Sequence, residues 1–396
     1  MFCSEVPVPS IRCGPLVRAL ARSEMWITSA AARPRCHHGT PDKGPGAPQA
    51  RRGSLDRPRR HIVRINPGLQ VLSLMEGVVQ IGTGQRARWL TGLSAAEKRF
   101  VFSLCENGLP TPPTLPQSPE QHRRSEILTV LAPVLLDSPA PREPAAKVGA
   151  RLLPDARRWS AAYQMDATEV LERRSAARVA IYGCGRTGQL LAHILAGAGV
   201  HGLLLIDPGT MEAQDLGAGT TGIAAVGSGR AHATARALRP LHRQLQVAET
   251  ESRDPGSAAL DMAVVISDAV LPPLASLPED DAVLPVLFTD SGLHLGPLCL
   301  PGVSMCAPCV WEQCDPTLRM LGEAAASARD QALRPETSLA ALAAGLAAVQ
   351  VLMVLDRINI PSCAGSMFVS DMPTGSTVSV PAKARARCTC LDDVAA

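Results

Sequence analysis

Two groups of residues in this sequence have types and spacings suited to chemistry. One is the glycine-rich turn Gly183-Cys184-Gly185-Arg186-Thr187-Gly188; the other is two cysteine pairs, Cys306 with Cys309 and Cys388 with Cys390. The apolar run Val179-Ala180-Ile181-Tyr182 leads straight into the turn, and Leu190, Leu191, Ile194 and Leu195 follow it at helical spacing. Glycine at 183, 185 and 188 permits a tight turn and lets backbone N–H groups approach a phosphate, while the helix start adds partial positive charge. A second apolar run, Leu203-Leu204-Leu205-Ile206, ends in Asp207, 19 residues after Gly188, where a carboxylate can accept hydrogen bonds from ribose hydroxyls. These features predict a nucleotide site and suit a dinucleotide or ATP equally, so an NAD-dependent dehydrogenase is one reading of them.

The cysteine pairs offer four soft thiolates, enough to close a tetrahedral zinc shell that staples the C-terminal tail to the domain. Unligated thiols and a disulfide or redox role are the alternatives. With 12 cysteines in a chain of 396 residues, several of them closely paired, the composition points to metal binding in a reducing compartment rather than to a disulfide framework. Cys184, Cys299 and Cys314 are further candidates as thioester-forming nucleophiles, but none has a His or other base beside it in sequence to lower its pKa. Cys299, in Leu298-Cys299-Leu300, reads as a buried apolar side chain, and Cys314, before Asp315-Pro316, as part of a loop. His193 and His232 are expected on helices and His294 on a strand, in structural positions.

The elements that must position these residues can be read in outline. Apolar runs at Arg178–Tyr182, Gly202–Ile206, Ala263–Ser267 and Leu284–Thr289 alternate with helical segments, the pattern of a mostly parallel sheet covered on both faces. An amphipathic segment at Ala161–Leu171 precedes them, and Ser338–Leu355 predicts a buried helix with apolar residues nearly all round. Upstream, Gln70–Leu74 and Val78–Gly82 predict a hairpin around Met75-Glu76-Gly77. Ser94 and Glu97 predict a capping box for a helix beginning at Ala95, and a second helix is expected over Ser118–Leu136. Strands followed by helices suit a small winged-helix-like α+β module at 61–145, with Leu109–Pro113 as a loop and Pro139–Pro144 as the boundary to a nucleotide-binding domain at 146–396. Residues 1–60 lack hydrophobic periodicity and are expected to be a disordered basic extension, or sequence upstream of the true start.

Composition narrows the function classes. A hydrophobic content of 46% against 19% charged residues supplies a buried core. The net charge is only +3, and residues 1–60 carry 11 of the 39 basic residues against four acidic ones, leaving the remainder near neutral. A nucleic-acid partner is therefore not expected. No run of 18 or more uninterrupted apolar residues is present and the start has no secretory h-region, so the expectation is a soluble cytoplasmic protein with no membrane partner.

From Arg178 to Asp268 the chain resembles the ThiF family, which includes ubiquitin-activating enzymes and the bacterial adenylyltransferases of thiamine and molybdopterin synthesis. The resemblance rests on the glycine-rich turn, Asp207-Pro208-Gly209-Thr210-Met211-Glu212, Asp215-Leu216, Val226-Gly227-Ser228-Gly229-Arg230-Ala231 and Val264-Val265-Ile266-Ser267-Asp268, in that order. It implies a Rossmann-like α/β fold and transfer of AMP from Mg²⁺-ATP to the C-terminus of a peptide or ubiquitin-like carrier. Gly183, Gly185, Gly188, Asp207 and Asp215 would then hold the nucleotide, with Asp207 on the ribose. Arg230 would approach the phosphates, and Asp268 would lie near Mg²⁺-ATP and the attacking carboxylate. It also implies a zinc bound by Cys306, Cys309, Cys388 and Cys390, and a homodimer. The chain departs from the family in having Asp215 for Asn, Arg230 for Lys, and Gly217-Ala218-Gly219 after Leu216 with no Arg.

The segments Asn66–Leu72, Leu90–Ser94 and Gly296–Gly302 also resemble actinobacterial ThiF-like proteins of modified-peptide, bacteriocin-type gene clusters. In that subgroup the front module is thought to bind a precursor's leader peptide as an added strand and a partner enzyme modifies the core. Two readings from different classes therefore stand: an adenylyltransferase, and a catalytically impaired scaffold that presents a leader peptide to a cyclodehydratase-like partner.

Overall fold

The computed structural model describes residues 61–84, 87–110, 118–139, 150–218, 221–254, 260–277, 282–315, 334–386 and 388–390. The expectations for residues 1–60, Thr111–Pro113 and 140–144 lie outside them. The chain divides into two units, of which Arg59–Cys388 carries all the elements described below.

The first of these elements form an α+β module. Strand β1 (His61–Ile65) lies between β5 (Leu109–Pro110) and β6 (Leu135–Pro139), while β2 (Val71–Met75), β3 (Val78–Ile81) and β4 (Arg88–Leu90) form a second three-stranded antiparallel sheet. The hairpin turns through Gly77 at φ +68°, a conformation that glycine adopts without strain. Helix α1 (Ala95–Glu106) starts at the expected capping box: Ser94 Oγ accepts from Glu97 N, and Glu97 accepts from Ser94 N at 2.7 Å. Helix α2 (Pro119–Leu131) is capped by Ser118 but ends before the expected Leu136. Pro133 lacks the N–H needed to continue an α-helix, so the chain tightens into a 3-10 turn at Ala132–Val134 and enters β6. Leu109-Pro110, expected in a loop, pair with β1 as an edge strand. Val79, Ile81, Phe100, Val101, Leu104, Ile127 and Leu131 form this module's core.

Helices α3 (Leu153–Tyr163) and α4 (Thr168–Ala176) connect the module to the rest. Between them Gln164 takes a left-handed conformation at φ +55°, dividing the single amphipathic segment read from sequence. Asn66, fully buried, donates from Nδ2 to Ser160 O at 2.9 Å, and Arg64 pairs with Asp166. A Cβ on Gly68 would stand 2.0 Å from Arg157 O, so glycine lets this loop lie flat on α3.

The principal sheet has eight strands: β7 (Arg178–Tyr182), β8 (Gly202–Ile206), β9 (Gln246–Thr250), β10 (Met262–Ser267), β11 (Val283–Thr289), β12 (Gly292–Leu295), β13 (Ser366–Asp371) and β14 (Ser376–Pro381). Their order is β14-β13-β12-β11-β10-β7-β8-β9, with the five strands from β11 to β9 parallel and the other three antiparallel. The four expected parallel strands form, and the resulting fold is Rossmann-like. Helix α5 (Arg186–Gly197) follows β7, α6 (Arg230–Leu238) precedes β9, α7 (Ala307–Cys314) has Cys306 as its N-cap and contains Cys309, and α8 (Thr337–Asp356) packs on α5 and β12. By length and composition α8 could cross a membrane, yet Ala343, Ala344, Ala347 and Val351 are fully buried in this core. Asp356 at its end pairs with Arg174 of α4, both completely buried, at 2.6 Å through two nitrogens, and Tyr163 donates to the same carboxylate. The two hydrogen bonds and the Tyr163 hydroxyl offset the cost of burying the pair, while Arg174 Nη1 has no hydrogen-bond partner.

Candidate functional site

Chain direction makes the site. The order β8 and β9 on one side of β7, then β10 on the other, places a topological switch between β7 and β10, and a parallel sheet opens a crevice at the carboxyl ends of its strands there. Both Gly183 and Asp268 follow those two ends. The resulting cleft, about 220 Å³, is lined by the glycine turn, Asp207, Arg230, Ser267, Asp268 and Arg334 among others.

Each glycine of the turn has a geometric reason. Gly183 sits at φ +91° and a Cβ on it would meet Ile266 O at 2.7 Å; a Cβ on Gly188 would stand 1.9 Å from Gly183 O. Gly185 caps α5, leaving the first N–H groups of that helix pointed into the cleft. Thr187 is buried, lines the cleft, and its Oγ1 has no hydrogen-bond partner. A hydroxyl so placed suits a phosphate oxygen.

Asp207 ends β8 and is almost wholly buried. Its Oδ2 accepts from Cys184 N at 2.7 Å and Arg230 Nε at 2.9 Å, and its Oδ1 from Gly209 N at 2.7 Å and Arg230 at 3.0 Å. Four donors fill the roughly four lone-pair sites of a carboxylate. Gly209 is part of this arrangement, because a Cβ there would lie 2.1 Å from the Arg230 guanidinium. Burial works against the charge on Arg230, but its contacts with Asp207 and Asp215 raise its pKa overall.

Asp215 is completely buried behind the cleft lining. It accepts from Glu212 N at 2.9 Å, lies 3.5 Å from Arg230 and makes an ion-pair contact of 2.8 Å with Arg334 Nε that falls short of hydrogen-bond geometry. Arg334 also donates to Asp268 at 3.1 Å. Burial pushes the Asp268 carboxyl above its ordinary range, with Arg334 acting in the opposite direction. Thus Asp207, Arg230, Asp215, Arg334 and Asp268 form one chain of alternating charge. Sequence reasoning found four of the five. Arg334 stands in no motif; it enters through the segment before α8, where Arg186 donates to Pro335 O at 3.2 Å and Thr337 Oγ1 at 3.3 Å.

The second constellation lies at the N-terminus of α7. The sulfurs of Cys306, Cys309 and Cys388 lie within 4.8 Å of one another, and those of Cys306 and Cys388 are 3.8 Å apart. Tetrahedral coordination at about 2.3 Å per Zn–S bond sets sulfurs about 3.8 Å apart. Arg385 N donates to Cys309 Sγ, and Lys383 N donates to Gln313 Oε1 at 2.7 Å, strapping the tail along α7. Cys390 follows two residues after Cys388 in the sequence, and Cys306, Cys309 and Cys388 are a group that could hold a metal ion such as zinc.

The thioester candidates are placed elsewhere. Cys184, Cys299 and Cys314 are all buried, and burial raises the thiol pKa of Cys184 and Cys314, which disfavours the nucleophilic thiolate. Cys314 closes helix α7 rather than lying in a loop, because its side chain packs inward with Val310 and Trp311. His193 and His232 fall on helices and His294 on strand β12, as expected.

No curated protein sequence matches the chain. Among solved structures, that of E. coli MccB with ATP is similar at a TM-score of 0.59 and 16% identity, covering 84% of this chain and 99% of that one. The microcin C7 biosynthetic enzyme MccB in complex with N-formylated MccA gives 0.59 and 16%, covering 83% and 99%. PaaA gives 0.53 and 16%, covering 67% and 92%. These likenesses establish the fold. The model of the ThiF family matches residues 160–268, which include the glycine turn, Asp207, Asp215, Arg230 and Asp268, and this stretch of the chain is a ThiF family domain.

Proposed function

We propose that this protein is a ThiF-type ATP-dependent adenylyltransferase acting on the C-terminus of a peptide or small ubiquitin-like carrier. The observation that carries the reading is the convergence, at one switch point, of the glycine turn, the buried Thr187 hydroxyl and the carboxylates Asp207 and Asp268 with the guanidiniums of Arg230 and Arg334. In the reaction a carboxylate oxygen of the substrate attacks the α-phosphorus of ATP, the bond to the β-phosphate oxygen breaks, and pyrophosphate leaves. Gly183, Gly185 and Gly188 bring backbone donors to the phosphates, Asp207 holds the ribose, Arg230 neutralises phosphate charge, and Asp215 orients Arg230 from behind. Asp268, a carboxylate at the cleft wall, suits the Mg²⁺ that accompanies ATP and neutralises its phosphates. Cys306, Cys309, Cys388 and Cys390 hold a structural zinc. The structures named MccB with ATP and with the peptide MccA lend support to a nucleotide and a peptide as ligands.

Residues 61–145 form a peptide-binding module in this reading and residues 146–396 the nucleotide domain. Strand β2 is an edge of its sheet and exposes Leu72, Leu74 and Met75, and a groove of about 810 Å³ beside it is lined by Leu69, Val71, Phe102 and Arg157. A leader peptide would pair with that edge. We assign the protein to the cytoplasm and to a homodimer, with neither nucleic acid nor membrane as partner.

One observation favours the second reading, a catalytically impaired scaffold serving a cyclodehydratase-like partner. Asp207 already has its acceptor sites filled, and Gly217-Ala218-Gly219 replaces the segment where the family has an Arg. The two readings separate in a peptide-dependent ATP–pyrophosphate exchange assay on the full chain. Exchange supports the enzyme; tight peptide binding without exchange supports the scaffold. NADH binding, seen by fluorescence, would instead revive a dehydrogenase.

A further inference from the structure

We propose that Arg334 is the residue that recognises the β- and γ-phosphates of the nucleotide, supplying from the segment before α8 the cation that is missing after Leu216. The proposal rests on the ATP reading above. Among the described residues three guanidiniums approach the cleft, and their commitments differ. Arg230 has Nε and both terminal nitrogens engaged by Asp207 and Asp215. Arg186 is drawn along the wall, with Nε on Gln214 O at 2.7 Å and NH1 on Pro335 O and Thr337 Oγ1, and its stem lies against Gly217. Those contacts make Arg186 the anchor of the Pro335 backbone and hence of the residue before it.

Arg334 is held between Asp215 Oδ1 at 2.8 Å and Asp268 Oδ2 at 3.1 Å, one-fifth exposed, facing the glycine turn. Without it, the guanidinium that still acts on Asp268 would be that of Arg230, already engaged by Asp207 and Asp215, and the carboxylate would face the triphosphate with less positive charge to offset their repulsion. With it, a fork of N–H donors sits where polyphosphate oxygens must pass if the α-phosphate is to reach the substrate carboxylate near Asp268. An arginine fork matches phosphate oxygens in pairs. AMP, which lacks the outer phosphates, does not reach it. Arg334 thus distinguishes ATP from AMP.

Binding of ATP and of AMP, each with Mg²⁺, to the full chain and to the Arg334→Gln and Arg334→Lys variants tests this by titration calorimetry. Loss of a charged hydrogen-bonding partner predicts ATP affinity weakened by tenfold or more in Arg334→Gln, AMP affinity changed by less than about twofold, and partial recovery in Arg334→Lys. A purely structural role would weaken both nucleotides together, and circular dichroism with thermal melting establishes that each variant is folded. ATP binding that survives Arg334→Gln with its preference over AMP intact overturns the assignment of Arg334 while leaving the ATP reading standing. Absence of ATP binding by the unaltered chain overturns that reading and this inference with it.

Discussion

Arg230 grips Asp207 through two hydrogen bonds, 2.9 Å and 3.0 Å long, across 23 residues of sequence, and the same carboxylate accepts the N–H groups of Cys184 and Gly209. The pair therefore ties the glycine turn, the end of β8 and the start of α6 into one unit. A nucleotide ribose can reach Asp207 only if Arg230 exchanges a carboxylate for a phosphate. Replacing Arg230 with Ala leaves a buried carboxylate short of two charged donors, so Arg230→Ala is expected to lower stability by about 2–3 kcal/mol in urea denaturation. An unchanged midpoint would show that the pair contributes nothing to folding.

Gly188→Ala tests the turn. The added methyl group would overlap the Gly183 carbonyl, 1.9 Å away, and backbone cannot yield as a flexible side chain does. The turn must open, and a loss of at least about 2 kcal/mol in stability is expected. Gly197→Ala, on the same helix with nothing within 4 Å of its Cβ, is the matched control and should be neutral or slightly stabilising.

The cysteine group makes a stoichiometric prediction. Protein purified without chelator should contain one zinc per chain by elemental analysis, and Cys309→Ser, at a buried ligand position, should abolish it. Removing the metal should free the tail that Arg385 and Lys383 fasten to α7, seen as proteolysis near residues 383–390. Metal-free protein with an unaltered digestion pattern would refute the staple.

Much of this architecture is legible in sequence because burial writes it there. Strands β7, β8, β10 and β11 are covered on both faces, so each is an uninterrupted apolar run, and the ends of the first two coincide with the expected ones. Strand β14 is exposed throughout, from Ser376 to Pro381, and carries no alternation to find. Strand β12 is expected only through His294, and the short, partly polar β9 and β13 offer no uninterrupted apolar run to find. The end of α2 depended on one residue, Pro133. In the site, the motif residues Asp207, Arg230 and Asp268 each sit at or just after an apolar strand or at a glycine-marked helix start, in the order of the family pattern. Arg334 follows Asp268 by 66 residues and reaches it only through the packing of α8, a tertiary relationship that spacing does not encode.

His193, His201 and His242 give a pH prediction. Burial lowers the pKa of all three from 6.5, and Arg151 reinforces this for His201 and His242. Arg151 stands 2.6 Å from His242 Nδ1, which must therefore accept and be neutral. The folded state binds fewer protons than the unfolded state below pH 6.5, so their contribution to stability is present above that pH and is lost as pH falls through the lowered values. The melting temperature should fall below pH 6.5, and His242→Gln should flatten that slope. An identical slope in the variant would contradict the assignment.

The central claim is that the cleft at Gly183–Gly188 holds ATP, and thermal melting of the full chain with added nucleotide tests it most directly. A ligand at a hundred times its dissociation constant stabilises the folded state by about 2.7 kcal/mol. Mg²⁺-ATP is predicted to raise the melting temperature in proportion to the logarithm of its concentration, and NADH to leave it unchanged. A rise with NADH and none with Mg²⁺-ATP would contradict the account.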